Sequence, residues 1–187
     1  MISACYHLDK LTNTKSGGIY HSRINYNDAN DSYSFDNSKN FIALDYGILE
    51  YKINEDKNLL FSANSNCTFS IFSINKDIEN NNNPFELKFS NKIAENNNDN
   101  CCNFLELNKF HEEQVLIAMN DGSIFVFDLN KQENILQQKA HEYGIWSTFI
   151  IDKNTFLTGS EDSLLKMWDL RSKDWYSIIL FFHFMVQ

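Results

Sequence analysis

Five histidines and a dispersed set of carboxylates are the groups through which this chain could do acid–base chemistry. His111-Glu112-Glu113 sets acid beside base, in a segment read as an exposed hairpin loop, and is taken as solvated rather than catalytic. His7 and His21 lie near an N-terminal hairpin and are open to either role. Ester or peptide hydrolysis commonly announces itself by a Gly-x-Ser-x-Gly elbow or a His-Glu-x-x-His metal helix, and neither motif occurs. The four cysteines, Cys5, Cys67, Cys101 and Cys102, form no Cys-x-x-Cys pair and have no spaced histidine partner. They read as free thiols in a reducing compartment, with no metal site and no cofactor expected. No catalytic residue is assigned.

The elements that must position these groups follow from composition. The 187 residues carry 16 Lys+Arg against 25 Asp+Glu, a net charge of −9. That balance disfavours nucleic acid or an anionic membrane as partner, since both reward neutralisation of phosphate by cations. The longest apolar stretch, residues 175–186, is broken by Ser177 and His183 and falls short of the roughly 20 residues a membrane helix needs. With no basic segment leading an apolar run at the N-terminus, cytoplasm or nucleus is expected. Hydrophobic residues at 43% can build a core. Asparagine is the outlier at 26 residues, clustered at 25–40 and 79–100. Such tracts bury too little to offset their entropy, so both read as flexible insertions; loop drift is preferred over a prion-like role.

Elsewhere short runs of β-branched and aromatic residues alternate with polar ones, as in Ile124-Phe125-Val126-Phe127, and no helical stripe extends over a useful length. Three segments align without a gap, at 62–74, 117–129 and 158–170, offset by 55 and 41 residues. Each reads strand, turn, strand, with the turn at Asn66, Asp121 or Asp162 and an aromatic near the end of the second strand. Upstream of each lies a further apolar strand, at 48–53, 101–107 and 145–151. A period near 40–45 residues closed by Trp-Asp marks a WD-repeat β-propeller blade. The chain is therefore expected to be all-β, an incomplete propeller of three to four blades over residues 1–171, with a separate apolar tail at 172–187. The WD pattern implies a buried polar chain through His141, Thr158, Asp162 and Trp168, and these are read as structural fasteners. The other two repeats hold Phe127 and Phe72 at the tryptophan position.

Ala140-His141, four residues, Trp146, then Thr-Gly-Ser-Glu-Asp-Ser-Leu-Leu-Lys-Met-Trp-Asp-Leu-Arg at 158–171, resembles the diphthine methyltransferase family of WD-repeat propellers. The N-terminal Ala4-Cys5-Tyr6-His7-Leu8, followed by Gly18-Ile19-Tyr20, is similar to that family's opening blade. The resemblance implies removal of a methyl ester from methylated diphthine, the modified histidine of elongation factor 2, in diphthamide biosynthesis. A second reading comes from Trp168-Asp169-Leu170-Arg171, which fits the pattern of substrate receptors of cullin-type ubiquitin ligases; there Arg171 would offer its fork to an adaptor carboxylate. A scaffold without chemistry is the third.

Propellers close with 4–8 blades, and this sequence supplies about three and a half. The opening blade is expected to lack its first pieces. The segment after Arg171 could add a strand, form an anchor or be non-native; an exposed apolar end is an aggregation hazard, which favours the last. An unclosed arc is expected to be marginally stable and inactive by itself.

Overall fold

Alternating side chains over four to eight residues, punctuated by Asn, Asp and Gly, give seventeen strands and no helix among the described residues. The structure, a computed structural model, describes residues 2–12, 14–28, 30–36, 41–75, 84–95, 100–172 and 176–181. The first sheet contains β1 (Ile2–Asp9), β2 (Thr14–His21) and β5 (Phe41–Leu44), in that order. Between β2 and β5 stands a separate two-stranded hairpin, β3 (Arg23–Asn27) with β4 (Ser32–Asp36). The second sheet follows as β6 (Ile48–Asn54), β7 (Leu59–Asn64), β8 (Thr68–Ile74) and β9 (Phe85–Lys92). The third comprises β10 (Cys102–Leu107), β11 (Gln114–Met119), β12 (Ser123–Asp128) and β13 (Glu133–Lys139). The fourth is β14 (Ile145–Ile150), β15 (Thr155–Ser160), β16 (Leu164–Asp169) and β17 (Tyr176–Phe181). Every sheet is an antiparallel meander, the pattern of successive propeller blades.

The core sits between the sheets. In the third sheet Val115, Ile117, Phe125 and Phe127 pack against Phe61, Phe69 and Ile71 of the second. The alternate residues Leu116, Ala118, Ile124 and Val126 pack against Ile145, Ile150, Phe156 and Trp168 of the fourth. With both faces covered, β11 and β12 lose the apolar/polar alternation of a half-buried strand and read as continuous apolar runs. Ile19 of the first sheet joins Ile48, Leu60, Phe72 and Phe85 of the second in the remaining cluster.

Three expectations are corrected by these elements. The insertion placed at 79–100 contains β9, the outer strand of the second sheet, paired along β8 from Phe85 to Lys92. Its pattern was hidden because β9 is an outer strand whose side chains mostly face solvent. The insertion at 25–40 overlaps the β3–β4 hairpin, where the Tyr26 and Tyr33 rings lie 4.9 Å apart and the Tyr26 hydroxyl donates to Asp31. The Asn80–Asn83 and Asn96–Asn98 tracts fall outside the described residues. The tail read as separate from the propeller supplies β17, which pairs with β16 from Leu164↔Phe181 to Trp168↔Tyr176 and gives the fourth sheet its fourth strand. The first sheet has three strands.

Candidate functional site

The turn between the second and third strands of each blade repeats one device. Asp162 Oδ1 accepts from the Leu164 amide at 3.0 Å, Asp121 Oδ1 from Ser123 at 2.9 Å and Asn66 Oδ1 from Thr68 at 3.3 Å. The next residue is left-handed in all three: Cys67 has φ 61°, Gly122 85° and Ser163 63°. A tight turn followed by a left-handed residue matches the right-handed twist of the flanking strands. The first sheet has the same cap, missed by the sequence reading: Asp9 Oδ1 accepts the Leu11 amide at 2.8 Å.

In the fourth sheet the turn extends into a buried chain. The Trp168 indole N–H, which can only donate, reaches Thr158 Oγ1 at 2.8 Å. Thr158 is left to donate to His141 Nε2, 2.7 Å away, and the Nδ1–H then donates to Asp162 Oδ2 at 2.8 Å. The Glu142 amide donates to the same oxygen at 3.3 Å. Burial holds the His141 imidazole below its ordinary value of 6.5, outweighing the pull of Asp162, so the ring is neutral. Burial raises Asp162, but the His141 hydrogen bond and the Leu164 and Glu142 amides outweigh it and hold the carboxyl below its usual range. The structure brings His141, Thr158, Asp162 and Trp168 together in one hydrogen-bonded chain. Both nitrogens of His141 are engaged in it, and the ring is buried at 2% exposure.

Linkage gives these shifts a sign. Below pH 6.5 an unfolded chain protonates His141 before the folded one does, so stability falls as pH drops through that value. Asp162 acts in the same direction at lower pH: its lowered folded value means stability is lost as it protonates. The thermal midpoint is expected to hold above pH 7 and to decline from pH 6.5 downward. His141→Gln should flatten that slope between pH 7 and 5; an unchanged slope would place the proton elsewhere.

Gly122 positions the loop that carries His141. Its carbonyl accepts the amides of Ala140 at 2.9 Å and His141 at 3.0 Å. A Cβ at Gly122 would sit 2.4 Å from the His141 carbonyl oxygen, at a φ that disfavours any side chain. Gly122→Ala is expected to cost about 2–3 kcal/mol in urea unfolding, combining left-handed strain with displacement of the loop.

The other blades keep fragments of the network. In the third, Asn100 stands in for the histidine: its amide donates to Asp121 Oδ2 at 3.3 Å and its Oδ1 accepts the Asp121 amide at 3.3 Å. Asn103 and Asn108 also bridge blades, donating to the Ile145 and Lys153 carbonyls at 3.4 and 3.2 Å. The second blade has Ser62 at the threonine position and Phe72 at the tryptophan position. Ala43-Leu44-Asp45-Tyr46-Gly47-Ile48 matches Ala140-His141-Glu142-Tyr143-Gly144-Ile145, with Leu44 where the histidine stands. The Ser62 hydroxyl is buried with no hydrogen-bond partner, the residue of a network whose other members are gone.

The remaining candidates are spread around the arc. His111 lies in the exposed β10–β11 loop, and Glu112 is paired with Lys57 at 2.8 Å, whose hydrogen bond holds it below the usual carboxylate range. His7 is exposed on β1, and His21 ends β2. Arg171 is exposed, but its fork closes on Asp169, Nε to Oδ1 at 2.8 Å and Nη2 to Oδ2 at 2.6 Å, drawing that carboxyl down to about 2. The four cysteines are free, and burial pushes the thiols of Cys67, Cys101 and Cys102 upward, away from thiolate chemistry. Among the described residues no cluster of three or more His, Cys, Asp or Glu is arranged to hold a metal ion.

Repeated antiparallel four-stranded sheets, an Asx-capped turn in each and a His-Thr-Asp-Trp chain in the last define an incomplete WD-repeat β-propeller. No protein-family profile matches the chain. It is similar to a WD repeat-containing protein 55 homolog of Dictyostelium discoideum, 25% identical over 95 residues, covering 51% of this chain and 23% of that protein. It is also similar to the peroxisomal targeting signal 2 receptor of Saccharomyces cerevisiae, 34% identical over 89 residues, 44% of this chain and 24% of the receptor. The matches thus span about a quarter of these relatives' length. Among solved structures, a chain in the crystal structure of a mitotic checkpoint complex superposes with a TM-score of 0.59 at 14% identity, over 96% of this chain and 51% of that one. That likeness concerns the fold.

Proposed function

We propose that this chain is part of a propeller that removes the methyl ester from methylated diphthine on elongation factor 2, in the cytoplasm, with the blades supplying the surface that seats the protein substrate. The observation that carries this reading is the likeness of residues 140–171 to the diphthine methyltransferase family, in the stretch that builds the complete polar chain. A relative named as a targeting-signal receptor and a fold neighbour from a checkpoint complex add support for protein recognition in general. His141 is held by Asp162 and Thr158 and Glu112 is paired with Lys57, so neither is offered as a catalytic group.

The test uses elongation factor 2 bearing methylated diphthine, offered to the purified chain and to a longer form carrying further blades. Methanol release by either supports the reading; none from both refutes it. A ligase receptor is the second reading, favoured by the exposure of Arg171. It requires the fork to leave Asp169 for an adaptor, so co-purification of an adaptor, lost in Arg171→Ala, would establish it.

A further inference from the structure

Three loops meet where the third and fourth sheets adjoin, at the end of the strands opposite the capped turns. Asn108 ties the first two together: its Oδ1 accepts the Phe110 amide at 3.0 Å while its Nδ2 donates to the Lys153 carbonyl at 3.2 Å. Asp152 Oδ1 fixes the second loop by accepting the Asn154 and Thr155 amides at 2.8 and 2.9 Å. The Asn154 carbonyl accepts the Leu170 amide at 2.9 Å and so anchors the third, which carries Arg171. Between them lies a hollow of about 480 Å³ lined by Phe110, Asp152, Lys153, Asn154 and Arg171. That is the size of a ligand cleft. Its walls come from two sheets that pack on each other within the chain, and hydrogen bonds between its loops hold it in shape.

Phe110 is 51% exposed at this hollow, a ring held out by a fixed loop. The charge beside it departs from the rest of the chain. Lys52, Lys57, Lys88, Lys92 and Lys131 each face a carboxylate, and Lys139 and Lys166 donate to backbone carbonyls. Lys153 has no such partner among the described residues, and the Lys109 ammonium lies only over the Phe110 ring, 5.1 Å from its centroid. The neighbouring acids are already engaged, Asp152 by the two amides, Asp169 by Arg171 and Glu112 by Lys57. With its edge held by Asp169, the Arg171 guanidinium keeps its flat faces available to a second ring. In a chain of net charge −9, two ammonium groups without a carboxylate thus stand beside one exposed aromatic.

We propose that this hollow docks an acidic segment of a protein partner, one aromatic side chain of the segment seating between Phe110 and Arg171 and its flanking carboxylates meeting Lys109 and Lys153. The loops are preformed, so little ordering opposes binding. An aromatic anchor in a hollow supplies the apolar burial, and the unpaired cations select and steer an acidic segment. A free anion would satisfy the two lysines and leave the Phe110 ring bare. The inference stands apart from the methylesterase reading, and it differs from the ligase reading in leaving Arg171 on Asp169.

Fluorescence anisotropy with a labelled peptide, one tryptophan between two short runs of glutamate, should show saturable binding to the 187-residue chain at about 100 μM or tighter in low salt. Binding should weaken steadily as salt is raised to about 0.5 M. Lys109→Glu/Lys153→Glu should weaken it by about tenfold or more. Lys88→Glu/Lys92→Glu, the same change in net charge placed on the second sheet, should leave it within about twofold. Phe110→Ser should cost about tenfold, as should serine in place of the tryptophan of the peptide. All five of these side chains are exposed, so each variant is expected to keep the thermal midpoint of the parent. Should Phe110→Ser fail to fold, the serine peptide reads the same contact from the other side. No binding at millimolar peptide, or equal losses in the two double variants, would overturn the proposal. So would a peptide indifferent to its tryptophan, the mark of a plain anion site.

Discussion

Replacing Thr158 with valine is expected to destabilise the chain by about 3–5 kcal/mol, because one hydroxyl satisfies two buried groups. Valine keeps the volume and removes the oxygen that accepts the Trp168 N–H and donates to His141 Nε2. Both of those residues are 2% exposed, so neither orphan can turn to water. In a chain of this length the thermal midpoint should fall by about 10 °C. Ser62→Ala at the equivalent place in the second blade should change stability by less than about 0.5 kcal/mol, or raise it, since that hydroxyl has no partner to lose. A double-mutant cycle pairing Thr158→Val with Trp168→Phe should show coupling of about 1–2 kcal/mol. Equal costs at Thr158 and Ser62, or additivity in the cycle, would mean that the network does not act as a unit.

That contrast also explains what was legible in the sequence. The inner three strands of the fourth blade were legible because its network is intact, and an intact network constrains residue type at fixed spacing: His141, Thr158, Asp162 and Trp168 each have one role and few substitutes. Where a blade has shed its histidine, the constraint relaxes, and the repeat survives only as apolar spacing. Asp9 escaped notice for a different reason. The first hairpin pairs Tyr6 with Gly17, whereas the fourth pairs Gly159 with Leu165, so the longer loop defeats a gap-free alignment although the cap is the same. The match between 43–48 and 140–145 was present in the letters, and comparing the lead-in to each innermost strand would have found it. Asn100 stands 21 residues before Asp121, as His141 stands 21 before Asp162, so the repeat offset of 41 marks it; the change of residue type hid it among 26 asparagines.

Outer strands obey another rule. β9 and the β3–β4 hairpin carry mainly exposed side chains where they are described, so hydrophobic patterning has little to act upon, and asparagine-rich flanks made both look like insertion. Cross-strand pairing holds them instead: Phe85 closes against Ile74, and Tyr26 against Tyr33. A strand such as β9, whose side chains mostly face solvent, leaves little patterning to be read.

Phe127→Ala should be the most damaging change at the junction of the second and third blades, at about 3–5 kcal/mol. The ring is 1% exposed and meets Phe69 edge-on at 4.9 Å and Phe89 at 5.8 Å, with Phe69 and Phe89 themselves 5.6 Å apart. Its loss leaves a cavity that two sheets share and removes two of three aromatic contacts. The instructive companion is Phe127→Trp, which restores the residue found in the fourth blade. It should not stabilise. Ile117 occupies the place of Thr158, so the indole N–H would be buried without an acceptor, and the larger ring would press on Phe69. Adding Ile117→Thr supplies the acceptor but creates a hydroxyl that needs a partner in turn, and Asn100 already spends its amide on Asp121. Urea unfolding is therefore expected to rank the chain above Phe127→Trp, with Ile117→Thr/Phe127→Trp no better than the single change until a histidine is also supplied at the lead-in to β10. If the double substitution alone reached the stability of the parent, the four-residue network would be a sum of independent pairs, and the degeneration of the first three blades would need another cause.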